Sequence, residues 1–309
     1  MYHSVPKGGR KRWVFSPPKR EKCLLRMNLP RLHQWQEAIC DPEVVHGFYR
    51  GRSAVTNAMQ HVGHQYTLSM DLENFFPSVT AKMFWDVAAG PTRSSTHLQT
   101  VKMFVIRTSS DPPKGELKPD GIAEQGLPTS PLVANIAFSP IDKLILGQLW
   151  QGVTYTRYAD DLTFSWDHDP SNRKHIMERV VEVVSAGGFK INQRKTRFQN
   201  ASFGRRIITG VGVDWFGVHA TREAKRKLRA AKHNGWHLKA AGYAEWCAMR
   251  ASNKNSWVEL VARKVTRMLS RKISTEAIAQ EMDRWGRRSS HPEWIEAINY
   301  GKFLARIMQ

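Results

Sequence analysis

Alternation of apolar and polar residues predicts β-strands in the middle of the chain. Residues 65–72 alternate in this way and carry Asp71 near their end. Residues 153–166 place aromatic and β-branched side chains on both sides of Ala159-Asp160, which is the pattern of a β-hairpin. Residues 207–218 are also rich in β-branched side chains and contain three glycines. The sequence therefore predicts antiparallel strands.

Helical patterns cover much of the remaining chain. A short basic hairpin precedes them at the N-terminus, and everything from Thr221 onward has a helical pattern. Strands mixed with helices and followed by a helical segment indicate an α+β fold. The predicted elements are a hairpin at 5–15, helices at 23–40, 80–108, 131–150 and 172–186 (the last ended by Gly187-Gly188), and a Pro/Gly/Lys loop at 111–121.

Charge is the compositional feature that says most about partners. The chain has 47 Lys and Arg against 27 Asp and Glu, a formal net charge of +20 with a pI near 10.2. This balance favours a polyanionic partner, and nucleic acid is preferred to a membrane because no amphipathic membrane anchor is evident. The alternative is a well-solvated surface, but such surfaces usually mix both signs.

Three negative features lead us to expect a cytoplasmic protein. No apolar run approaches the ~20 residues needed to cross a bilayer. The N-terminal residues lack the apolar core of a signal peptide. Cys23, Cys40 and Cys247 are odd in number and far apart, so neither a disulfide framework nor a zinc site is expected.

The C-terminal segment is strongly basic. Residues 221–309 hold 19 Lys and Arg against 8 Asp and Glu, together with five tryptophans. Basic side chains interleaved with aromatic rings can follow a phosphate backbone and stack on unpaired bases. The alternative is that most of these tryptophans form the core of a helical bundle.

The turn of the predicted hairpin has unusual chemistry. Asn-Gly or Asp-Gly would be expected there, whereas the chain has Tyr158-Ala159-Asp160-Asp161. Adjacent carboxylates repel each other unless a cation lies between or beside them. A broken local rule within a well-formed hairpin is where function is expected, although an exposed acidic turn is the simpler alternative.

Asp71 supplies a third carboxylate at the end of the other predicted strand. If that strand pairs with the hairpin, Asp71, Asp160 and Asp161 converge at one edge of a sheet. Such a cluster suits Mg²⁺, which takes hard oxygen ligands. Two such ions about 3.5–4 Å apart activate an attacking hydroxyl and stabilise the leaving oxygen in phosphoryl transfer.

Four segments resemble the signature motifs of reverse transcriptases. Tyr158-Ala159-Asp160-Asp161 resembles the YxDD signature, and Asp71 followed five residues later by Phe76 resembles the other catalytic strand. Residues 125–131, with Asn135 after them, are similar to QGxPxSP, and residues 188–196 are similar to GFxxNxxKT. The segments occur in the family's order.

The resemblance implies a right-hand polymerase that uses two Mg²⁺ ions and dNTPs to make DNA on an RNA template. The fingers would cover residues 1–70 and part of 80–122, and the palm, with an antiparallel sheet, would cover 50–220. A basic helical thumb at 221–309 would bind RNA. The three aspartates would be catalytic, with Asp71 and Asp160 holding both ions and Asp161 auxiliary. The metal-binding assignments are Asp71, Leu72, Asp160 and Asp161.

The resemblance also assigns the nucleotide site. Phe76 would lie under the sugar and exclude a 2′-hydroxyl, whereas spacing alone favours a core aromatic beside Phe75. Lys195 would lie near the triphosphate, with a solvated lysine as the alternative. Basic residues of the N-terminal hairpin would clasp the triphosphate. The nucleotide-binding assignments are Phe76, Gln125, Gly126, Lys195, Lys7 and Arg12.

Two shorter segments narrow the resemblance to retron reverse transcriptases. The stretch from Asn57 to His61 matches NAxxH, and Ile208-Thr209-Gly210 resembles VTG with Ile in place of Val. The alternatives are an ordinary helical histidine and a strand bulge. RNA or primer binding is thereby assigned to Asn57, His61, Thr209 and Gly210.

Retron enzymes copy a structured noncoding RNA, prime from a 2′-hydroxyl within it and often act in antiphage defence with an effector protein. The resemblance implies the same for this chain in a bacterial cytoplasm. Two alternatives stay open: a defence-associated reverse transcriptase that makes untemplated, repetitive or protein-primed DNA, and an RNA-binding scaffold with an idle active site. Intact aspartates together with Gln125 and Phe76 count against the idle scaffold.

Overall fold

A four-stranded antiparallel sheet lies at the centre of the fold, and its strands come from distant parts of the chain. The computed structural model describes residues 2–7, 10–88, 121–167, 169, 171–215, 217–248, 257–270, 273–287 and 292–307. The strands are β1 (Tyr2–Lys7), β2 (Arg10–Phe15), β3 (Tyr66–Leu72), β4 (Thr154–Tyr158), β5 (Asp161–Trp166), β6 (Ile191–Asn200), β7 (Arg206–Ile208), β8 (Val211–Val213) and β9 (Val218–Ala220). The central sheet has the order β4-β5-β3-β6, which confirms the predicted strand at 65–72 and the predicted hairpin at 153–166.

Helices pack on the sheet and form most of the C-terminal part. They are α1 (Lys19–Met27), α2 (Leu29–Ile39), α3 (Ala54–Met59), α4 (Phe75–Ser78), α5 (Ala81–Ala88), α6 (Ser130–Gln148), α7 (Asn172–Ala186), α8 (Arg222–His233), α9 (His237–Cys247), α10 (Trp257–Ser270), α11 (Thr275–Gly286) and α12 (Pro292–Ile307). The predicted helix at 80–108 is confirmed over α5, and the rest of it, like 111–120 of the predicted loop, lies outside the described residues.

One face of the central sheet is apolar and the other is polar, because side chains alternate along each strand. Leu68, Met70 and Phe164 belong to the main core together with α6 and α7. Helix α6 is apolar on nearly all sides, and Pro131 lies in its first turn, where the missing N–H costs no hydrogen bond. The predicted helices at 131–150 and 172–186 are confirmed.

The opposite face of the sheet is held by polar contacts. The hydroxyls of Thr67 and Ser165 lie 2.8 Å apart, and Arg206 donates to Thr67 from 2.9 Å. His61, just beyond α3, covers the same face. The hydroxyl-bearing residues of the strands are thus buried beneath α3 and the small sheet β7-β8-β9.

The predicted helix at 23–40 is wrong as a single element, because the chain breaks it at Asn28. The side chain of Asn28 donates to the carbonyl of Leu24 at 2.8 Å and ends α1. Pro30 then lies in the first turn of α2, a position that a proline tolerates but the interior of a longer helix does not. The predicted N-terminal hairpin is confirmed by the pairing of β1 with β2.

The C-terminal helices have a core of their own. Val261, Ile278, Met282 and Trp285 are buried in this second cluster. It meets the central sheet through Lys264, whose ammonium lies 3.2 Å from an Asp167 carboxylate oxygen just after β5. The predicted division into fingers, palm and thumb, with a boundary near Thr221, stays a prediction.

Candidate active site

Asp71 and Asp161 are direct partners across the central sheet. They are opposite each other in the antiparallel pairing of β3 with β5, and Asp160 precedes Asp161 in the turn between β4 and β5. The amide of Leu72 donates to the carbonyl of Asp160 at 2.9 Å, which fixes the turn to the end of β3. The backbone therefore brings the three predicted carboxylate positions to one edge.

Lys195 lies at the carboxylates because β6 contains a bulge. Ser69 faces Arg197 while Asp71 faces Asn192, so residues 193–196 lie opposite the single residue Met70. From this bulge the Lys195 ammonium reaches both carboxylate oxygens of Asp71, at 2.8 and 2.9 Å. The predicted place for Lys195 near the triphosphate is compatible with this position.

The carboxylates do not form a ready-made metal cage. Among the residues that the structure describes, no group of three His, Cys, Asp or Glu side chains converges closely enough to hold a metal ion. Like charges opposite each other in a sheet repel, and the Asp71 carboxylate is instead bound to Lys195. The backbones of the three aspartates thus converge, but in the described residues their carboxylates do not form a metal site. The Lys195 ammonium is the cation at Asp71.

The turn between β4 and β5 rests on a buried ion pair that the motifs did not reveal. Arg157 donates to both oxygens of Asp142, with Nη2 at 2.7 Å and Nε at 2.9 Å. Nη1 of the same guanidinium donates to Asn135 Oδ1 at 2.8 Å and to the carbonyl of Ala159 at 3.3 Å. Tyr155 donates to Asp142 at 2.7 Å. One arginine thus connects α6 to the backbone of the turn.

The ionisation of this network is fixed by its surroundings. Burial and then the charge of Asp142 raise the pKa of Tyr155 well above its ordinary value, so the phenol stays a neutral donor. Burial acts to lower the pKa of Arg157, but Asp142 outweighs it and the pKa is raised. The available sequence signal was Asp142 in the apolar segment of α6, because a charge buried there must be paired. Arg157, among the tyrosines and threonines of β4, supplies the partner.

Phe76 lies in α4, just after the end of β3, and its predicted place under the sugar stays a prediction. Phe75 is buried in the main core, whereas Phe76 is half-buried and packs on its edge. The Phe76 ring centroid is 6.3 Å from that of Phe48, an exposed ring on a residue with a positive φ of 56°. Phe75 is thus the core aromatic, and Phe76 packs against the core while staying partly exposed.

The segment with Gln125 and Gly126 packs against the N-terminal hairpin. The amide of Phe15 donates to the carbonyl of Gln125 at 2.7 Å. Gly126 has a φ of 110°, and a Cβ there would lie 2.2 Å from the Phe15 carbonyl oxygen. Glycine is therefore needed for this close approach. The side chains of Lys7 and Arg12 lie outside the described parts of the chain, and only their strand positions in β1 and β2 are defined.

Asn57 and His61 contact protein, not solvent. Both are buried, and the ring nitrogens of His61 lie 2.9 Å from Ser165 Oγ and 2.7 Å from Thr156 Oγ1. Asn57 donates to Thr209 Oγ1 at 3.4 Å. Their arrangement supports an indirect role, in which they hold other elements, instead of the direct contact with RNA or primer that the resemblance assigned to them.

Thr209 and Gly210 form the two-residue turn between β7 and β8. Both have positive φ, 46° and 79°, as a tight hairpin turn requires. Gly210 is exposed, and a Cβ there would meet nothing within 4 Å. The alternative of a strand bulge is therefore wrong: these residues form a hairpin turn whose tip is accessible from solvent.

Most of the sequence matches a known family. The model of the reverse transcriptase (RNA-dependent DNA polymerase) family matches residues 5–228. The chain is 33% identical over 256 residues to the Mx162 retron reverse transcriptase of Myxococcus xanthus, covering 75% of this chain and 51% of that protein. It is 30% identical over 244 residues to the Ec86 retron reverse transcriptase of Escherichia coli, covering 75% of this chain and 68% of that protein. The chain thus spans about half the length of the first of these relatives.

Solved structures show the same fold. Telomerase from Candida tropicalis in complex with a fragment of telomeric RNA matches with a TM-score of 0.51 at 12% identity, over 98% of this chain and 58% of that one. Apo telomerase from the same organism matches with a TM-score of 0.50 at 12% identity, over 99% and 61% of the two chains. The predicted right-hand polymerase fold of class α+β is confirmed. No helix in the described residues is both long and apolar enough to span a membrane.

Proposed function

The chain belongs to the reverse transcriptase family, and we propose that it is an RNA-directed DNA polymerase of the retron type. In this proposal it copies a structured noncoding RNA, starting from a 2′-hydroxyl of that RNA. The observation that carries the proposal is the pairing of Asp71 with Asp161 across β3 and β5, with Asp160 in the adjoining turn. The retron assignment is supported by the similarity to retron enzymes of two bacterial species.

The carboxylates provide the donor set for two Mg²⁺ ions. Asp71 and Asp160 would hold both, with Asp161 auxiliary and the Leu72 backbone as a further ligand. The Lys195 ammonium shows that the Asp71 carboxylate accepts a cation at both oxygens. When bound, the ions would activate the attacking hydroxyl and stabilise the leaving pyrophosphate oxygen. Lys195 would have to leave Asp71 and would then be free to bind the triphosphate.

The surrounding residues would bind and select the nucleotide. The half-buried ring of Phe76 would form the floor under the sugar and exclude a 2′-hydroxyl. Gln125 and Gly126 lie in the loop that packs on β2. If they line the nucleotide, the basic hairpin with Lys7 and Arg12 would lie beside it. Lys and Arg there would bind the triphosphate by charge-assisted hydrogen bonds.

The RNA and the growing DNA would be held by the basic surface. Helix α8 exposes Arg222, Lys225, Arg226, Arg229 and Lys232, and its polar face is almost entirely basic. Contacts of this kind follow phosphates without reading sequence, so binding should weaken steeply with salt. The exposed turn at Thr209-Gly210 would grip the primer, with Asn57 holding that turn from behind.

The biological setting follows from the same assignment. The enzyme would act in the bacterial cytoplasm on dNTPs, keep its noncoding RNA and cDNA product bound, and serve antiphage defence together with an effector protein. DNA of untemplated, repetitive or protein-primed sequence would instead identify a defence-associated relative. RNA binding without any DNA synthesis would identify an idle scaffold.

Primer extension on an RNA template tests the polymerase. The wild-type protein is expected to incorporate dNTPs in the presence of Mg²⁺, and Asp160→Asn is expected to abolish incorporation. Asp86→Asn is the matched control, because Asp86 is an aspartate of α5 that pairs with Lys82 on the same helix. DNA synthesis by Asp160→Asn at the wild-type rate would refute the assignment of the metal-binding carboxylates.

A further inference from the structure

A short segment, residues 44–47, runs beside β4 just before the turn that carries Asp160. The amide of Arg157 donates to the carbonyl of Val44 at 2.7 Å, and the amide of His46 donates to the carbonyl of Arg157 at 2.9 Å. Val45 and Arg157 form a parallel bridge. This segment therefore extends the central sheet at β4, next to the residues that lead into the turn.

Gly47, at the end of this segment, touches the backbone of the turn itself. A Cβ on Gly47 would lie 2.4 Å from the amide nitrogen of Ala159 and 3.0 Å from the carbonyl carbon of Tyr158. Gly47 does not have a positive φ, so an alanine here would not be forced into the left-handed region. Glycine is thus needed here for contact with the turn and not for conformation.

Gly47 cannot easily move away from the turn, because its carbonyl is fixed. The buried Asn135 donates its Nδ2–H to the Gly47 carbonyl at 2.8 Å, and its Oδ1 accepts from Arg157. Asn135 lies in α6, in the middle of the main core. The side-chain amide of Asn135 therefore binds both Gly47 and Arg157.

The turn is enclosed from three sides. Gly47 lies against the Ala159 amide, Arg157 donates to the Ala159 carbonyl, and the Leu72 amide donates to the Asp160 carbonyl. Ala159 has a φ of 56°, a conformation that alanine disfavours and that the surrounding contacts must impose. A shift at Gly47 would be transmitted to Asp160 and so to its position relative to Asp71.

We infer that Gly47 is a positioning residue for the catalytic carboxylates. Because Gly47 has no side chain, the Ala159-Asp160 turn can pack directly against residues 44–47. The distance between this segment and the turn sets the position of Asp160 relative to Asp71. The atoms nearest to a Cβ on Gly47 belong to the backbone of Tyr158 and Ala159, so the effect passes through that backbone. The inference rests on the proposed metal-dependent function and adds a determinant of metal-site geometry outside the carboxylate motifs.

The test compares Gly47→Ala with Gly147→Ala. A Cβ on Gly147, near the end of α6, would meet nothing within 4 Å, so this control adds the same methyl group without a clash. Binding of Mn²⁺ to the free protein is measured by electron paramagnetic resonance, and single-turnover incorporation and affinity for an RNA–DNA duplex are measured alongside. Mn²⁺ serves as the probe for the metal site.

We expect Gly47→Ala to bind Mn²⁺ about tenfold more weakly than the wild type, as loss of supporting contacts around a metal site typically does. Incorporation should slow by about a hundredfold, the effect of a displacement near 1 Å, with duplex affinity unchanged. Gly147→Ala should match the wild type in all three. Wild-type Mn²⁺ affinity and rate in folded Gly47→Ala would overturn the inference.

A second variant covers the case in which Gly47→Ala does not fold. Arg157→Lys keeps a positive charge for Asp142 but cannot bind Asp142, Asn135 and the Ala159 carbonyl at once. It should show the same joint loss of Mn²⁺ affinity and rate, and wild-type values for both would count against the positioning role. Because Mn²⁺ binding is measured without nucleic acid, a wild-type protein that binds Mn²⁺ but makes no DNA would refute the proposed function and leave this inference standing.

Discussion

The ammonium of Lys195 binds both carboxylate oxygens of Asp71, at 2.8 and 2.9 Å. The bulge in β6 that makes this contact possible lies at the edge where the turn with Asp160 meets β3. A side chain that is half exposed thereby neutralises a carboxylate that is nearly buried. A metal ion at Asp71, as proposed, would compete with this ion pair.

Replacement of Lys195 by Met is expected to strengthen Mn²⁺ binding to the free protein. Loss of a partly exposed ion pair removes up to about 1 kcal/mol of competition, which corresponds to roughly a fivefold gain in affinity. Lys190→Met is the control, because it removes the same charge from a lysine that pairs with Glu73 nearby. Equal Mn²⁺ affinity in Lys195→Met and Lys190→Met would show that the Lys195 pair does not compete with the metal.

Phe76→Ala should admit ribonucleotides. Removal of the ring opens the space where a 2′-hydroxyl would lie, so the ratio of kcat/KM for dCTP over CTP should fall by about tenfold or more. Phe203→Ala is the matched control, because Phe203 is an almost fully exposed ring in the turn after β6. An unchanged ratio in Phe76→Ala would remove this residue from the sugar site.

Asp142→Asn should destabilise the protein strongly. It leaves the fully buried Arg157 guanidinium without its counter-charge, and breaking such a pair costs about 3–5 kcal/mol. Asp86→Asn breaks the exposed Lys82 pair and should cost less than about 1 kcal/mol. Urea unfolding measures both, and similar losses in the two variants would contradict the role given to the buried pair.

The stability of the protein should fall in acid partly through His46. The ring lies 2.9 Å from the Thr56 hydroxyl, whose proton goes to the Ser53 carbonyl, so Nδ1 must be the donor and the buried Nε2 is left without a partner. Burial and then the charge of Arg52 lower the pKa of His46 from 6.5 to about 4. Protonation would therefore place a positive charge on a buried ring near Arg52.

The sign follows from the lowered pKa. The folded protein binds the proton less readily than the unfolded chain, so the stability due to neutral His46 is fully present above pH 6.5 and is lost as the pH falls towards 4. The loss should reach about 3 kcal/mol. His46→Asn keeps a donor for Thr56 but does not titrate. Urea unfolding at pH 7.5 and 4.5 should show a smaller loss in this variant, and an equal loss would contradict the assignment.

The sequence alone predicted the parts of the fold that depend on local pattern. The alternation before Asp71 and around Ala159-Asp160 predicted the two central strand elements, because side-chain period is a local property. Strand β6 was not predicted, since its polar sequence around Lys195 lacks that alternation and its position depends on pairing with β3. The break at Asn28 was missed because the apolar spacing continues across it.

The sequence predicted the residues of the candidate site that belong to motifs. It did not predict the residues whose role depends on packing in the folded chain. The three aspartate positions follow from the resemblance, and their strand register agrees. The contact of Gly47 with the turn joins residues more than one hundred positions apart, and no spacing rule in one sequence reveals it. The pairing of Lys195 with Asp71 likewise depends on a bulge that sequence did not indicate.

The central claim is tested most directly by the nucleic acid that the protein carries. The protein is purified from its native locus, and the bound nucleic acid is sequenced with and without a debranching enzyme that cleaves 2′,5′ linkages. We expect one structured RNA joined through a 2′-hydroxyl to a short DNA complementary to part of it, and no such DNA with Asp160→Asn. DNA of untemplated or repetitive sequence, or RNA with no linked DNA, would contradict the retron assignment.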